Sequence, residues 1–130
     1  MSNILNSISS DIIKASIAVH SELGPGLLES VYQKCLTKEL INIGYNIKTE
    51  VPVRIFFKNE LISDDGFRID ILVENKVIIE LKSVEDIKPV HKKQLQTYLK
   101  LTNKQLGLLI NFNEVLLKNG ITRAVNNFKE

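Results

Sequence analysis

The sequence predicts an α/β or α+β sandwich with one mixed sheet flanked by helices. Two observations lead there. Apolar residues recur at helical spacing as far as residue 43 and at strand spacing after Tyr45. The order of segments is helix, helix, three strands, helix, strand, with an undecided tail, which suits helices packed on one sheet. No repeat, low-complexity run or Pro/Gly/Ser-rich linker divides the chain, so residues 1–130 are expected to form one domain.

The first helix carries Ile4, Ile8, Ile12, Ala15, Val19 and Leu23 on one stripe. Gly24-Pro25-Gly26 ends it and opens a turn. A second helix is expected over residues 27–43, with Leu28, Val31, Cys35, Leu36 and Leu40 as its apolar stripe and Gly44 as its cap. Val51, Val53, Ile55 and Phe57 then alternate with Glu50, Pro52, Arg54 and Phe56, the period of a strand. Pro52 cannot donate to a ladder, which places this strand at an edge or gives it a bulge. Residues 67–73 and 77–82 read as two further strands around a turn at Glu74-Asn75-Lys76. Pro89 suits the first turn of a third helix ending near Leu101. Residues 106–111 form a short apolar run, expected to be a buried strand, and Asn119-Gly120 suggests a hairpin between Leu116-Leu117 and Ile121.

The composition, 44% hydrophobic and 25% charged over 130 residues, is that of a globular chain with enough length to bury a core. A net charge of +2, from 17 basic and 15 acidic residues, argues nothing about nucleic acid by itself. No apolar run approaches the ~20 residues of a membrane span. The N-terminus lacks a basic region followed by an apolar stretch, so no signal peptide is expected. A single cysteine, Cys35, excludes an internal disulfide and fits a cytoplasmic location; it lies on an apolar stripe and reads as core. His20 has no neighbour at metal-ligand spacing and reads as structural.

Chemistry concentrates in Arg68-Ile69-Asp70-Ile71-Leu72 and Ile79-Glu80-Leu81-Lys82. Residues two apart on a strand share a face, so Glu80 and Lys82 project together while Val77, Ile79 and Leu81 project oppositely. By the same parity Asp70 goes with Arg68 and Leu72, opposite Phe67, Ile69, Ile71 and Val73. A three-residue loop centred on Asn75 pairs Val73 with Val77 and sets Asp70 opposite Glu80, with Cβ atoms about 5 Å apart. A two-residue loop would put the carboxylates on different faces. Asn tolerates the left-handed conformation the longer loop needs. Two carboxylates that close repel unless a proton or cation intervenes, and hard oxygen ligands suit Mg²⁺ or Mn²⁺. The alternative is a solvated strand face with an ordinary ion pair across it. Against it, Val77-Ile78-Ile79-Glu80-Leu81-Lys82 is very apolar for a strand with one wet face.

Gln94 and Tyr98, four apart on the third helix, share a stripe with His91. That stripe either faces a cleft and touches substrate or is solvated with Tyr98 half-buried. Glu29, at the start of the second helix with Tyr32 three residues on, is either a further acid near the metal or a first-turn acid facing the positive end of the helix dipole.

At this point the sequence resembles the GxxExxY proteins, whose naming motif reads here as Gly26-Leu27-Leu28-Glu29-Ser30-Val31-Tyr32. The likeness continues through Gly66-Phe67-Arg68-Ile69-Asp70, Glu80-Leu81-Lys82, Gln94-Leu95-Gln96-Thr97-Tyr98 and Gly107 to Phe112, in the right order. The resemblance implies the restriction-endonuclease-like αβββαβ fold of the PD-(D/E)XK nucleases. It makes Asp70 the first metal-binding acid, Glu80 and Lys82 the (D/E)XK pair, Glu29 the acid on the first core helix, and the Leu81 carbonyl a further metal ligand. Gln94 and Tyr98 resemble the QxxxY motif of RecB-like nucleases. The residue before Asp70 is Ile69 rather than proline, a position that varies across the superfamily.

Two functions follow as expectations. The first is Mg²⁺- or Mn²⁺-dependent phosphodiester hydrolysis: Asp70 and Glu80 hold the metal, Lys82 positions the water, and Glu29 tunes or shares the metal. Gln94 and Tyr98 contact substrate or brace the site, and Arg68 with Lys92 or Lys93 holds flanking phosphates. The substrate is nucleic acid, DNA ahead of RNA, and a homodimer would give so small a domain the surface to hold a duplex. The second is a non-catalytic nucleic-acid-binding or protein-interaction module that keeps the fold. The intact acid–acid–lysine set argues against that one.

Overall fold

The computed structural model describes residues 2–128; Met1, Lys129 and Glu130, part of the expected 1–130 domain, lie outside the described residues. Helices α1 (Ser2–Leu23) and α2 (Glu29–Ile43) lead into strands β1 (Ile47–Phe57), β2 (Glu60–Val73) and β3 (Val77–Lys82). Helix α3 (Pro89–Thr102), strand β4 (Leu106–Asn111), a 3₁₀ turn (Leu117–Gly120) and strand β5 (Ile121–Val125) follow. The strands lie side by side in chain order, with β1–β2, β2–β3 and β4–β5 antiparallel and β3–β4 parallel. The fold is α+β on one mixed sheet.

Both faces of the sheet are covered. On one face Leu5, Ile8, Ile12, Ala15 and Val19 of α1 and Tyr32, Leu36 and Leu40 of α2 pack on Ile71, Val73, Val77, Ile79 and Leu81. On the other, Leu95 and Leu99 of α3 pack on Ile69, Leu72, Ile78 and Leu109. Strands β3 and β4 are therefore apolar on both sides, as strands buried on two faces must be. Cys35 packs half-buried against the first core, and His20 is buried with Nε2 2.7 Å from the Glu114 carbonyl oxygen. Both are structural, as the sequence indicates.

The turn between β2 and β3 is the three-residue loop, with Val73 paired to Val77 and both Glu74 and Asn75 left-handed. Gly44 ends α2 at φ 114, and β1 is an edge strand that accommodates Pro52. Other expectations need correction. Leu5, not Ile4, joins the α1 stripe, and Ile4 is exposed. Leu28 and Val31 are exposed because α2 begins at Glu29 and turns Tyr32 inward. Asn119-Gly120 closes no hairpin: those residues belong to the 3₁₀ turn, and β5 returns along β4. β2 begins at Glu60, seven residues before the expected Phe67, because a turn at Lys58 and Asn59 joins it to β1 in a long hairpin. No described helix is long and apolar enough to cross a membrane.

Tyr32 fixes the entry to α2. Its ring is fully buried and stacks on Phe112 at 4.5 Å, while its hydroxyl donates to the Gly24 carbonyl at 2.5 Å and accepts the Leu27 N–H at 3.1 Å. Ser83 Oγ, just beyond β3, donates to the Leu27 carbonyl at 2.7 Å. The loop that opens onto Glu29 is thus tied to the core and to the end of β3. Tyr32→Phe keeps the ring stack but strands two turn groups. It should cost about 1–3 kcal/mol in chemical denaturation, the penalty for partners left unsatisfied; an unchanged denaturation midpoint would show that water replaces the hydroxyl.

Candidate active site

The β2–β3 ladder runs from Val73–Val77 to Ile71–Ile79 and stops there. Beyond that point carboxylates take the place of ladder partners. Asp70 Oδ2 accepts the Leu81 N–H at 2.8 Å, and Glu80 Oε1 lies 3.4 Å from the Asp70 amide nitrogen that donates to it. Each acid thus bonds the strand that carries the other, which brings the two carboxylates together in the gap.

The parity argument holds on β3 and fails on β2. Ile78 packs under α3 while Val77, Ile79 and Leu81 face α1 and α2, so Glu80 and Lys82 belong to the α3 side. On β2, Ile69 and Leu72 share the α3-side core although Ile71 and Val73 lie on the opposite side. The alternation therefore breaks between Ile69 and Ile71, where the ladder to β3 ends, and Asp70 sits at the break. Opposite this stretch of β1 Glu50 is left-handed, at φ 51. A bent strand lets the Asp70 carboxylate swing across the gap toward β3.

Burial sets the electrostatics. Glu80 is 9% exposed, and its carboxyl is pushed up from 4.5 to about 8, first by burial and then by the charge of Asp70. Asp70 is also raised, chiefly by burial, with the charges of Glu50 and Glu29 adding to it and the Leu81 N–H opposing. Like charges in a partly dehydrated gap cannot both ionise freely. Lys82, half-buried on the same strand, lowers Glu80 by its charge. The described salt bridges join Arg54 to Asp64 and Arg68 to Asp65, and neither includes Asp70 or Glu80.

The remaining expected residues divide. Glu29 is exposed at the first turn of α2, close enough for its charge to act on Asp70. Tyr98 stacks on Phe67 with ring centroids 3.8 Å apart, and its hydroxyl is raised by burial and then by the charges of Glu80 and Asp70. Leu95 and Leu99 of α3 are core, and Tyr98 packs half-buried against the same cluster. Gln94 is exposed, and its side chain makes no hydrogen bond among the described residues. His91 leaves the expected stripe for a cap: its Nδ1 accepts the Lys88 N–H at 3.0 Å. Arg68 is exposed and paired with Asp65 at 3.6 Å.

Two residues were not found by the sequence reasoning. Gln33 Nε2 donates to the Asp70 carbonyl at 2.8 Å and to Glu50 Oε2 at 3.1 Å. It thereby holds the backbone of the bent strand at the position that carries the acid. Its spacing four after Glu29 on α2 was the available signal. Glu50 is one member of an alternating strand pattern, and only the β1–β2 register brings it near Asp70.

The donor set fits a hard divalent cation. It offers two neighbouring carboxylates, both raised by burial and by nearby negative charge. Among the described residues no third His, Cys, Asp or Glu joins them as a compact ligand group. Two carboxylates can hold a hard divalent cation whose other positions are filled by water.

The raised carboxyls predict a pH dependence. A carboxyl whose folded value lies above its unfolded value favours the fold while protonated, so its contribution is complete below about 4.5 and is lost as pH rises to about 8. In chelator, the melting temperature should fall between those limits, and Glu80→Gln should flatten the fall and melt higher at the alkaline end. Thermal melts across that range test this; a wild-type curve as flat as that of Glu80→Gln would mean that Glu80 is ionised and compensated.

Comparison with known proteins adds the family. The model of the PD-(D/E)XK nuclease superfamily matches residues 6–124, from the first turns of α1 into β5. No curated protein matches the chain. The three helices and five-stranded mixed sheet are consistent with a restriction-endonuclease-like fold. On a match that spans nearly the whole chain and an architecture that agrees with it, this protein belongs to the PD-(D/E)XK nuclease superfamily.

Proposed function

We propose that this protein is a Mg²⁺- or Mn²⁺-dependent nuclease that hydrolyses phosphodiester bonds, with DNA its substrate in preference to RNA. The observation that carries the reading is the convergence of the Asp70 and Glu80 carboxylates where the β2–β3 ladder ends. Superfamily membership supports nuclease chemistry in general terms. Within the superfamily we place the chain among the GxxExxY proteins, on Gly26, Glu29 and Tyr32 and the segments that follow them, and we read it as one cytoplasmic domain.

In this reading Asp70, Glu80 and the Leu81 carbonyl hold the cation. When bound, it supplies Lewis-acid polarisation of the phosphoryl group and a water acidified toward hydroxide. Lys82 Nζ orients the attacking water and offsets negative charge as it develops. Glu29 adds negative charge on the α2 side and strengthens cation binding. Gln33 anchors the Asp70 backbone so that the carboxylate keeps its aim. Tyr98 and Gln94 line the approach along α3, and Arg68 meets a flanking phosphate by giving up its exposed pair with Asp65, an interaction worth little in water.

Cleavage is the direct test. Purified protein with Mg²⁺ or Mn²⁺ should cut at least one of plasmid, single-stranded DNA, branched DNA and RNA. Asp70→Asn, Glu80→Gln and Lys82→Ala should each lower the rate roughly 10²-fold or more while leaving the circular dichroism spectrum unchanged. Either divalent ion should also raise the melting temperature where K⁺ at matched ionic strength does not. At a hundredfold excess over Kd the stabilisation is about 2.7 kcal/mol. Nucleic-acid binding without metal-dependent cleavage on any of the four substrates would favour the non-catalytic module.

A further inference from the structure

Before Ile71, β2 pairs with β1 alone, so the two strands leave the sheet as a two-stranded ribbon. A ribbon of two strands is marginal in water unless a third element covers a face. At its far end Phe56, Phe57, Leu61 and Ile62 are 54%, 63%, 40% and 59% exposed, and Phe56 sits directly across from Leu61. Phe56 and Leu61 lie on one face of the ribbon and Phe57 on the other, so its tip is apolar on both sides, and exposed apolar residues of this size mark a surface that meets another molecule.

The charges on the ribbon select the partner. Residues 54–68 hold three basic and three acidic side chains, so the segment is neutral. Arg54 is paired with Asp64 at 3.5 Å and Arg68 with Asp65 at 3.6 Å, and Lys58 lies over the Phe57 ring, 5.5 Å from its centre. Nucleic acid and anionic lipid both demand an excess of cations, and the ribbon end has none: residues 56–62 carry one basic side chain, Lys58, and one acidic, Glu60. A surface that is apolar, neutral and carries both signs complements itself, which is the requirement of an isologous two-fold contact.

We propose that the ribbon end formed by Phe56, Phe57, Leu61 and Ile62 is a homodimer interface, packed against the same residues of a second copy of this chain. The surface is independent of the chemistry at Asp70 and Glu80. Ile62 and Asp70 are eight residues apart on β2, at most roughly 27 Å of strand, so contact at the ribbon ends leaves both clefts open.

Sedimentation equilibrium or light scattering over a micromolar concentration series tests this. The wild type should run at twice its 14.7 kDa chain mass. The double substitution Phe56→Ser, Leu61→Ser should weaken dimerisation by roughly a hundredfold, from several apolar side chains lost per interface. Ile62→Lys, a single change at an exposed position, is the second variant and places like charges across the two-fold axis. Both should keep the wild-type circular dichroism spectrum and the divalent-ion melting response, which report on the fold and on the cleft. A monomeric wild type overturns the proposal, as does a dimer that survives both changes. It is equally overturned if the wild type is monomeric and these variants lose affinity for single-stranded DNA, since the ribbon would then be a nucleic-acid arm.

Discussion

The end of the β2–β3 ladder at Ile71 and Ile79 governs the candidate site. Strands that part within a fold leave N–H groups without backbone partners, and a buried orphan is costly. Here carboxylates accept them: Asp70 takes the Leu81 N–H, and Glu80 takes that of Asp70. The gap is thereby satisfied in hydrogen bonds and strained in charge. Both acids are raised by burial; the charge of Asp70 raises Glu80 further, and the charges of Glu50 and Glu29 raise Asp70. A proton or a divalent cation relieves that repulsion. A site that folds around either one is prepared for metal by the same interactions that hold its backbone together.

The surrounding structure keeps the gap in shape. The α3 side is closed by Phe67 stacked on Tyr98 and by Leu95 and Leu99 in the core. On the other side, the Tyr32 hydroxyl and Ser83 hold the turn that presents Glu29, and Gln33 reaches from α2 to the Asp70 carbonyl. Asn111, at the end of β4, accepts the Val84 N–H and donates to the Val84 carbonyl, fixing the loop after Lys82. These bonds join α2, β2, β3 and β4 at one end of the sheet. The charged groups are carried there because β3 and β4 are buried on both faces along the rest of their length, where an unpaired charge would be costly.

Much of this was legible in the sequence where local chemistry decides. The turn at Glu74-Asn75-Lys76 set the register that pairs Val73 with Val77, because loop length and left-handed tolerance are properties of the turn residues themselves. Pro89 marked the start of α3, Gly44 the end of α2, and the apolar run from Leu106 a buried strand. The parity of β3 put Glu80 and Lys82 on one face, since a regular strand has no other choice.

Tertiary contacts decided the rest. The break of alternation at Asp70 arises because β2 leaves the three-stranded ladder there to continue with β1 alone, and nothing in Arg68-Ile69-Asp70-Ile71 announces it. Glu50 gained its place beside Asp70 through the β1–β2 register, and Gln33 through the docking of α2 on the sheet. The length of the β1–β2 hairpin was obscured because Asp64, Asp65 and Gly66 resemble a loop, yet they lie within β2, where the strand bulges opposite Val53 to Ile55. The sequence by itself determined the elements, the turn register and the acid–acid–lysine set, all of which depend on neighbours a few residues away. Only the tertiary structure decided where the strands part, which side chains brace the gap and which ribbon is left uncovered, because those depend on groups that burial brings together from distant parts of the chain.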